Sequence, residues 1–221
     1  QMRDAGAEYT PVCAIYLNDL ECISKQLNDA TEVVLEPKRG TMSSLRLAVR
    51  TGRVEICRLL LAENANPNEA TPYPLIADAT GNPEILKMLI EKGANVHRRI
   101  QVTRKLGGLF TEGGEASPIH FAVRRGNPEC VKILLDSGVD PNAANESGET
   151  PLHLALLTEQ WERSCGHDTK NYIIIVRDLI ASGASTRFRD RFDKSPQDYS
   201  KRLGSPFEIQ WAMQKQQNAG K

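Results

Sequence analysis

The chain has 221 residues, 28 of them basic and 28 acidic, so its formal net charge at pH 7 is zero and no bulk field marks it for nucleic acid or an anionic membrane. Hydrophobic residues make up 40% and aromatic residues only 5%, which excludes a wholly disordered chain and predicts a core of Leu, Ile, Val and Ala rather than rings. No apolar run approaches the roughly 20 residues of a spanning helix, and the opening QMRDAGAEYT lacks the apolar core of a secretory leader, so neither a membrane span nor a leader is expected.

In chain order, YTPVCAIYLNDLECISKQLNDA, from Tyr9, predicts a first pair of helices over about 5–38. Then come SSLRLAVRTGRVEICRLLLAENANPN from Ser43, PYPLIADATGNPEILKMLIEKGANVH from Pro72 and SPIHFAVRRGNPECVKILLDSGVDPN from Ser117, which align without a gap. Each predicts a short apolar helix with a small residue facing its neighbour (Ala48, Ala77, Ala122), then a turn glycine (Gly52, Gly81, Gly126). A second, amphipathic helix follows and stops at Asn64, Gly93 or Gly138, residues that tolerate the left-handed conformation a helix stop requires. TPLHLAL, from Thr150, repeats SPIHFAV at an interval of 33 residues, and KSPQDYSKRLGSPFEIQWAM, from Lys194, is a polar closing copy. Thr or Ser before Pro predicts a helix start, because the hydroxyl caps orphan amides and the missing proline N–H costs nothing there.

A fixed period is the mark of a stacked repeat, since one helix pair cannot bury its own apolar face. TPLHLA, GVDPNA and GANV resemble ankyrin repeats, and the resemblance runs from Tyr9 to about Gly204. It implies a mainly α fold, an α-solenoid of stacked helix pairs joined by β-hairpin fingers. Six repeats fall at about 5–38, 39–67, 68–97, 116–144, 145–189 and 190–221, the last a cap, in one domain. The resemblance also makes His120 and His153 structural, each tying its helix to the neighbouring hairpin backbone. Cys22, Cys57 and Cys130 stand where the family carries Ile or Val, so they are expected to act as small hydrophobes.

Two insertions break the period. A long finger over 98–115 carries Ile100, Val102, Leu106, Leu109 and Phe110, with Gly107-Gly108 as a hairpin turn between IQVTRKL and LFTE. These apolar groups either anchor a partner or fold back on the adjacent hairpins. The second insertion, about 159–170, lies between the helices of the fifth repeat and predicts that both run longer, with Trp161 packing against Tyr172.

Cys13, Cys22, Cys57, Cys130 and Cys165 stand singly, which signals neither a disulfide framework nor a zinc site and suits a reducing compartment, cytoplasmic or nuclear. Phosphate-loop, nucleophile-elbow and zinc-protease motifs are absent, and Cys165, His167 and Asp168 make a weak cluster. No catalysis, cofactor, metal or small-molecule substrate is expected. What remains is a surface. In the family, partners lie along a concave face of first-helix ends and finger tips. Here those places carry Arg50, Arg124, Arg125 and Arg202, then Arg99, Arg104, Lys105, Arg189 and Arg191, with Leu106, Leu109 and Phe110 as apolar anchors. A protein segment, acidic or phosphorylated, is the expected partner. Cations at helix ends also complement the macrodipole, so capping explains part of the pattern. The alternative is the scaffold or regulatory part of a larger enzyme, ubiquitin ligase or channel. Nucleic acid is not expected, for want of interleaved aromatics. Asn68 and Asn142 match the hairpin asparagine that a hydroxylase modifies in some ankyrin proteins, and His97 takes that place in the third repeat.

Overall fold

The computed structural model describes residues 10–35, 42–69, 73–102 and 114–219. These form α1 (Pro11–Leu17), α2 (Leu20–Leu35), α3 (Ser44–Arg50), α4 (Val54–Ala62), α5 (Leu75–Ala79), α6 (Pro83–Glu91), β1 (Ile100–Val102) and β2 (Gly114–Ala116). They continue with α7 (Pro118–Arg124), α8 (Pro128–Asp136), α9 (Pro151–Ser164), α10 (Lys170–Ala181), α11 (Pro196–Leu203) and α12 (Phe207–Ala219). Two compact units result, one within Gln1–Ala70 and Glu84–Ala94, the other within Thr71–Pro83 and Asn95–Lys221.

The helices begin where the Thr/Ser-Pro signal places them. Ser43 Oγ accepts from the Arg46 amide at 3.0 Å, and proline opens α1, α7, α9 and α11. In α7 and α9 a histidine supplies the return half of the capping box: His120 Nδ1 accepts from the Ser117 amide at 3.2 Å, and His153 Nδ1 from the Thr150 amide at 3.1 Å. Asp198 does the same for Ser195 in α11, at 3.0 Å. The second helices of the aligned copies end as predicted, with Asn64, Gly93 and Gly138 at φ 61, 84 and 83°.

In the first unit α1 packs on α3 and α2 on α4, around the fully buried Ile15, Ile23, Ala48, Ile56, Cys57 and Leu60. Each fully buried aliphatic side chain there contributes roughly 1.5–3 kcal/mol. Ala48 has no accessible surface, so the packed helices approach closely at that point. Arg53 Nη2 donates to the Tyr16 carbonyl at 2.8 Å, satisfying the last turn of α1.

In the second unit α7 packs on α5 and α9, α9 on α11, α8 on α10, and α10 on α12. Ile119, Ala122, Leu134, Leu152, Val176 and Leu179 form the centre of its core. The fingers are closed by side chains. Asp140 Oδ1 accepts from the Asn142 amide at 2.9 Å, and Asn145 Oδ1 from the Ser147 and Glu149 amides, both at 2.9 Å. Asp190 repeats that second turn with the Phe192 and Lys194 amides, both at 2.9 Å. Neighbouring fingers then touch through backbone: Glu146 N–H donates to the Glu115 carbonyl and Arg191 N–H to the Ser147 carbonyl. Gly148 permits this contact, since at φ 73° a Cβ would stand 3.1 Å from Asp190 Cα.

His120 and His153 are fully buried, and each Nε2 reaches the next finger, at the Glu149 and Lys194 carbonyls, both 3.1 Å away. That is the role the resemblance implied. Burial drives the His120 imidazole down to about 4 and lowers His153 in the same way, so both are neutral at pH 7. Cys57 and Cys130 are buried small hydrophobes whose thiols are pushed up to about 12, chiefly by burial. Cys22 departs from that expectation, because it is only half-buried.

The second insertion does lengthen its helices, to 14 residues in α9 and 12 in α10 against 7 and 9 in α7 and α8. Trp161 and Tyr172 do not behave as expected. Trp161 is 56% exposed, while the buried Tyr172 lies against Gly126 and donates its hydroxyl to the Arg124 carbonyl at 3.3 Å. An orphan carbonyl at the end of α7 outcompetes a second ring as a partner, because a buried phenol needs an acceptor. The extension also places Glu159, fully buried, 3.1 Å from Arg163 Nε. Arg163 forks onto the Leu203 and Gly204 carbonyls at 3.0 and 2.9 Å, capping α11.

Candidate partner-binding surface

The cations singled out in the sequence occupy three kinds of place. Arg50 ends α3 and is exposed, in the first unit. Arg124 ends α7, where it is half-buried between Tyr73, Arg125 and Tyr172, and burial lowers its pKa from the ordinary arginine value. Arg125 follows it and donates Nη1 to the Asp78 carbonyl, 2.8 Å away in the last turn of α5. Arg125 in the second unit and Arg53 in the first therefore do the same work, and capping accounts for Arg125 as the dipole argument allows.

The finger cations differ among themselves. Arg99 is consumed: its Nε pairs with Glu115 at 2.9 Å and its Nη2 donates to the Ala144 carbonyl at 2.7 Å. Arg189 folds back on Asp193, donating to its carbonyl at 2.6 Å. Arg191 lies 4.7 Å over the Phe192 ring and Arg202 lies 5.3 Å over the Tyr199 ring, contacts that hold a guanidinium in place without neutralising it. Arg104, Lys105, Leu106, Leu109 and Phe110, with the Gly107-Gly108 turn, lie outside the described residues. The described base of the long finger is antiparallel, with Ile100 opposite Ala116 and Val102 opposite Gly114. Ile100 is fully buried, so that apolar group is core rather than anchor.

The fingers expose apolar residues that sequence reasoning passed over. Phe188 and Phe192 are 51% and 58% exposed. The available signal was the alternation TRFRDRFDK, which puts two of the chain's five phenylalanines among four cations, in a segment with no helical period. Among the described residues no group of three His, Cys, Asp or Glu is placed to hold a metal ion. His167 Nδ1 pairs with Glu162 at 2.5 Å and Asp168 Oδ1 accepts from the Lys170 amide.

The candidate asparagines have structural bonds. Asn68 Nδ2 donates to the Gly93 carbonyl at 2.7 Å. Asn142 uses both ends of its amide, donating to the Gly183 carbonyl at 3.0 Å and accepting from the Ser185 amide at 2.7 Å. No helix of the described residues is long and apolar enough to cross a membrane.

Helix pairs, capped fingers and histidine ties are the parts of a stacked-repeat scaffold, and comparison with known proteins identifies which one. Family profiles described as ankyrin repeats match residues 12–100 (3 copies) and 110–155 (many copies). The chain belongs to the ankyrin repeat family, whose domains are in general non-catalytic modules for protein interaction. An ankyrin repeat domain from Acinetobacter baumannii shares the fold at TM-score 0.74 and 20% identity, over 96% of this chain and 99% of that one. Among curated relatives, E3 ubiquitin-protein ligase KEG of Arabidopsis thaliana is 36% identical over 52% of this chain and 7% of its own length. Ankyrin repeat protein nuc-2 of Neurospora crassa is 30% identical over 70% of this chain and 13% of its own length. Ankyrin repeat and SOCS box protein 6 of Homo sapiens is 28% identical over 68% of this chain and 33% of its own length. The chain thus spans a third or less of these curated relatives.

Proposed function

We propose that this chain is a non-catalytic module of six repeats, at the boundaries given above, that binds an acidic or phosphorylated segment of a partner protein in a reducing compartment, cytoplasm or nucleus. One observation carries the reading: the last finger and last repeat present Arg191, Lys194, Lys201 and Arg202 with exposed side chains and no close salt bridge among the described residues, although Arg191 feels the Glu149 carboxylate and Lys194 that of Asp198, in a chain of zero net charge. Most other cations of the second unit with a described partner are spent on carboxylates or on helix ends. The half-buried Arg124 adds a cation at the end of α7, and the exposed Arg50 ends α3 in the first unit.

The test is fluorescence anisotropy with three labelled dodecapeptide pools, degenerate except at every third position, which is glutamate, phosphoserine or serine. The glutamate and phosphoserine pools bind at low ionic strength and weaken toward 0.15 M salt, where exposed charges are screened beyond ~8 Å. Arg191→Glu weakens that binding. Equal binding of all three pools would defeat the reading.

A second reading has its own support. E3 ubiquitin-protein ligase KEG and the probable E3 ubiquitin-protein ligase XBOS32 of Oryza sativa are both relatives, and this chain matches 7% and 13% of their lengths. The array would then hold substrate for a catalytic part elsewhere in a longer gene product. Sequencing the full-length transcript decides it.

A further inference from the structure

Lys194, Asp198, Tyr199, Lys201 and Arg202 line a shallow cleft of about 410 Å³ behind the last finger. Residues 194, 198, 201 and 202 follow helical spacing, so these side chains rise from one face of α11 and the residue preceding its cap. Three cations and one carboxylate line it, and the buried Asp190 carboxylate stands just behind, on the Tyr199 hydroxyl, which leaves a net positive cleft. Asp198 is already occupied, since its Oδ2 accepts from the Ser195 amide at 3.0 Å and the Ser195 hydroxyl at 2.8 Å.

Helix capping does not explain the three cations. The carbonyls at the end of α11, Leu203 and Gly204, accept from Arg163, so that terminus has its cation without Lys201 or Arg202. Lys194 stands before the start of the same helix, where the dipole disfavours a positive charge. Nor are these groups loosely arranged. Asp190 is 6% exposed, and one of its oxygens fixes the turn amides of Phe192 and Lys194 while the other accepts from the Tyr199 hydroxyl at 2.7 Å. A single carboxylate thereby locks the finger to the floor of the cleft, and Tyr199 in turn holds the Arg202 guanidinium over its ring. Phe188 and Phe192 do not line the cleft, but they precede it in the same finger and are more than half exposed, so they offer apolar contacts to residues of a bound segment beyond the bound group.

We propose that this cleft reads a phosphorylated serine or threonine in an extended segment of a partner protein, with Lys194, Lys201 and Arg202 on the phosphoryl oxygens and Phe188 and Phe192 on flanking side chains. Donor count favours the phosphate: a phosphomonoester offers three acceptor oxygens and about −1.5 to −2 of charge at pH 7 to the three cationic side chains, whereas a carboxylate offers two oxygens and a single charge. The proposal rests on the interaction-module reading and names the chemistry of its ligand.

The experiment uses the 221-residue chain, the phosphoserine and glutamate peptide pools above, and amide chemical shifts recorded on the same samples. Phosphoserine should bind at least tenfold tighter than glutamate, shifting amides over 188–202. Lys201→Glu and Lys194→Glu, both on exposed side chains, should each remove that preference with melting temperature unchanged. Equal affinity for the two pools, or retained preference in both variants, would overturn the cleft while leaving the module reading standing. Shifts confined to the Arg124 and Arg125 region would overturn it too. Binding of neither pool would remove both.

Discussion

Lowering the pH should unfold this protein through its two buried imidazoles. His120 has no accessible surface; its Nδ1 accepts from the Ser117 amide, so Nε2 carries the proton given to the Glu149 carbonyl. Adding a second proton would break the first bond and bury a charge. Burial accordingly lowers its pKa from 6.5 to about 4. The unfolded imidazole gains a proton as pH falls below about 6.5 while the folded one does not, so the unfolded state binds more protons and stability falls with pH across that window. The contribution is whole above pH 6.5. At about 1.4 kcal/mol per pKa unit, the full span is worth about 3.5 kcal/mol, of which about 2.5 kcal/mol is gone by pH 4.5. Urea unfolding at pH 7.0, 5.5 and 4.5 measures it, for the parent and for His120→Gln. The variant starts less stable, having lost one or both bonds, but its loss between pH 7.0 and 4.5 should be smaller than the parent's by about 2.5 kcal/mol. Identical losses would show that His120 is protonated in the folded state, and would refute the neutral tie between helix and finger.

Other substitutions probe the remaining supports. Ile100→Ala should cost about 2–4 kcal/mol by urea unfolding and leave peptide affinity unchanged, because the side chain is core. Arg163→Ala should cost about 1–3 kcal/mol, since it uncaps α11 and strands the buried Glu159; adding Glu159→Gln should recover part of the loss in the same assay. Asn142→Ala should cost about 1–2 kcal/mol for its two lost finger bonds. Intact-mass measurement after co-expression with an asparaginyl hydroxylase should show oxygen added at Asn68 or Asn142, and no added oxygen at either would refute the hydroxylation.

By itself the sequence determined everything set by local spacing. Thr/Ser-Pro starts, left-handed stops at Asn64, Gly93 and Gly138, the small Ala48 and Ala122, and the lengthened α9 and α10 all follow from short-range sterics and capping, which a repeating pattern states several times over. The histidine ties were legible through the family resemblance. Tertiary structure alone decided which partner each long side chain takes. Arg125, Arg124 and Arg202 look alike in sequence, yet one caps α5, one is half-buried beside Tyr73 and Tyr172, and one lies over Tyr199 along a cation-lined cleft. The same holds for Tyr172, drawn to a carbonyl 48 residues away rather than to Trp161, and for Ile100, turned into the core. Orphan carbonyls at helix ends are created by folding and are satisfied by whatever donor stacking brings within reach. A pattern of spacing along the chain fixes which residues share a face, while the claims of neighbouring backbone on a guanidinium exist only once the repeats have packed.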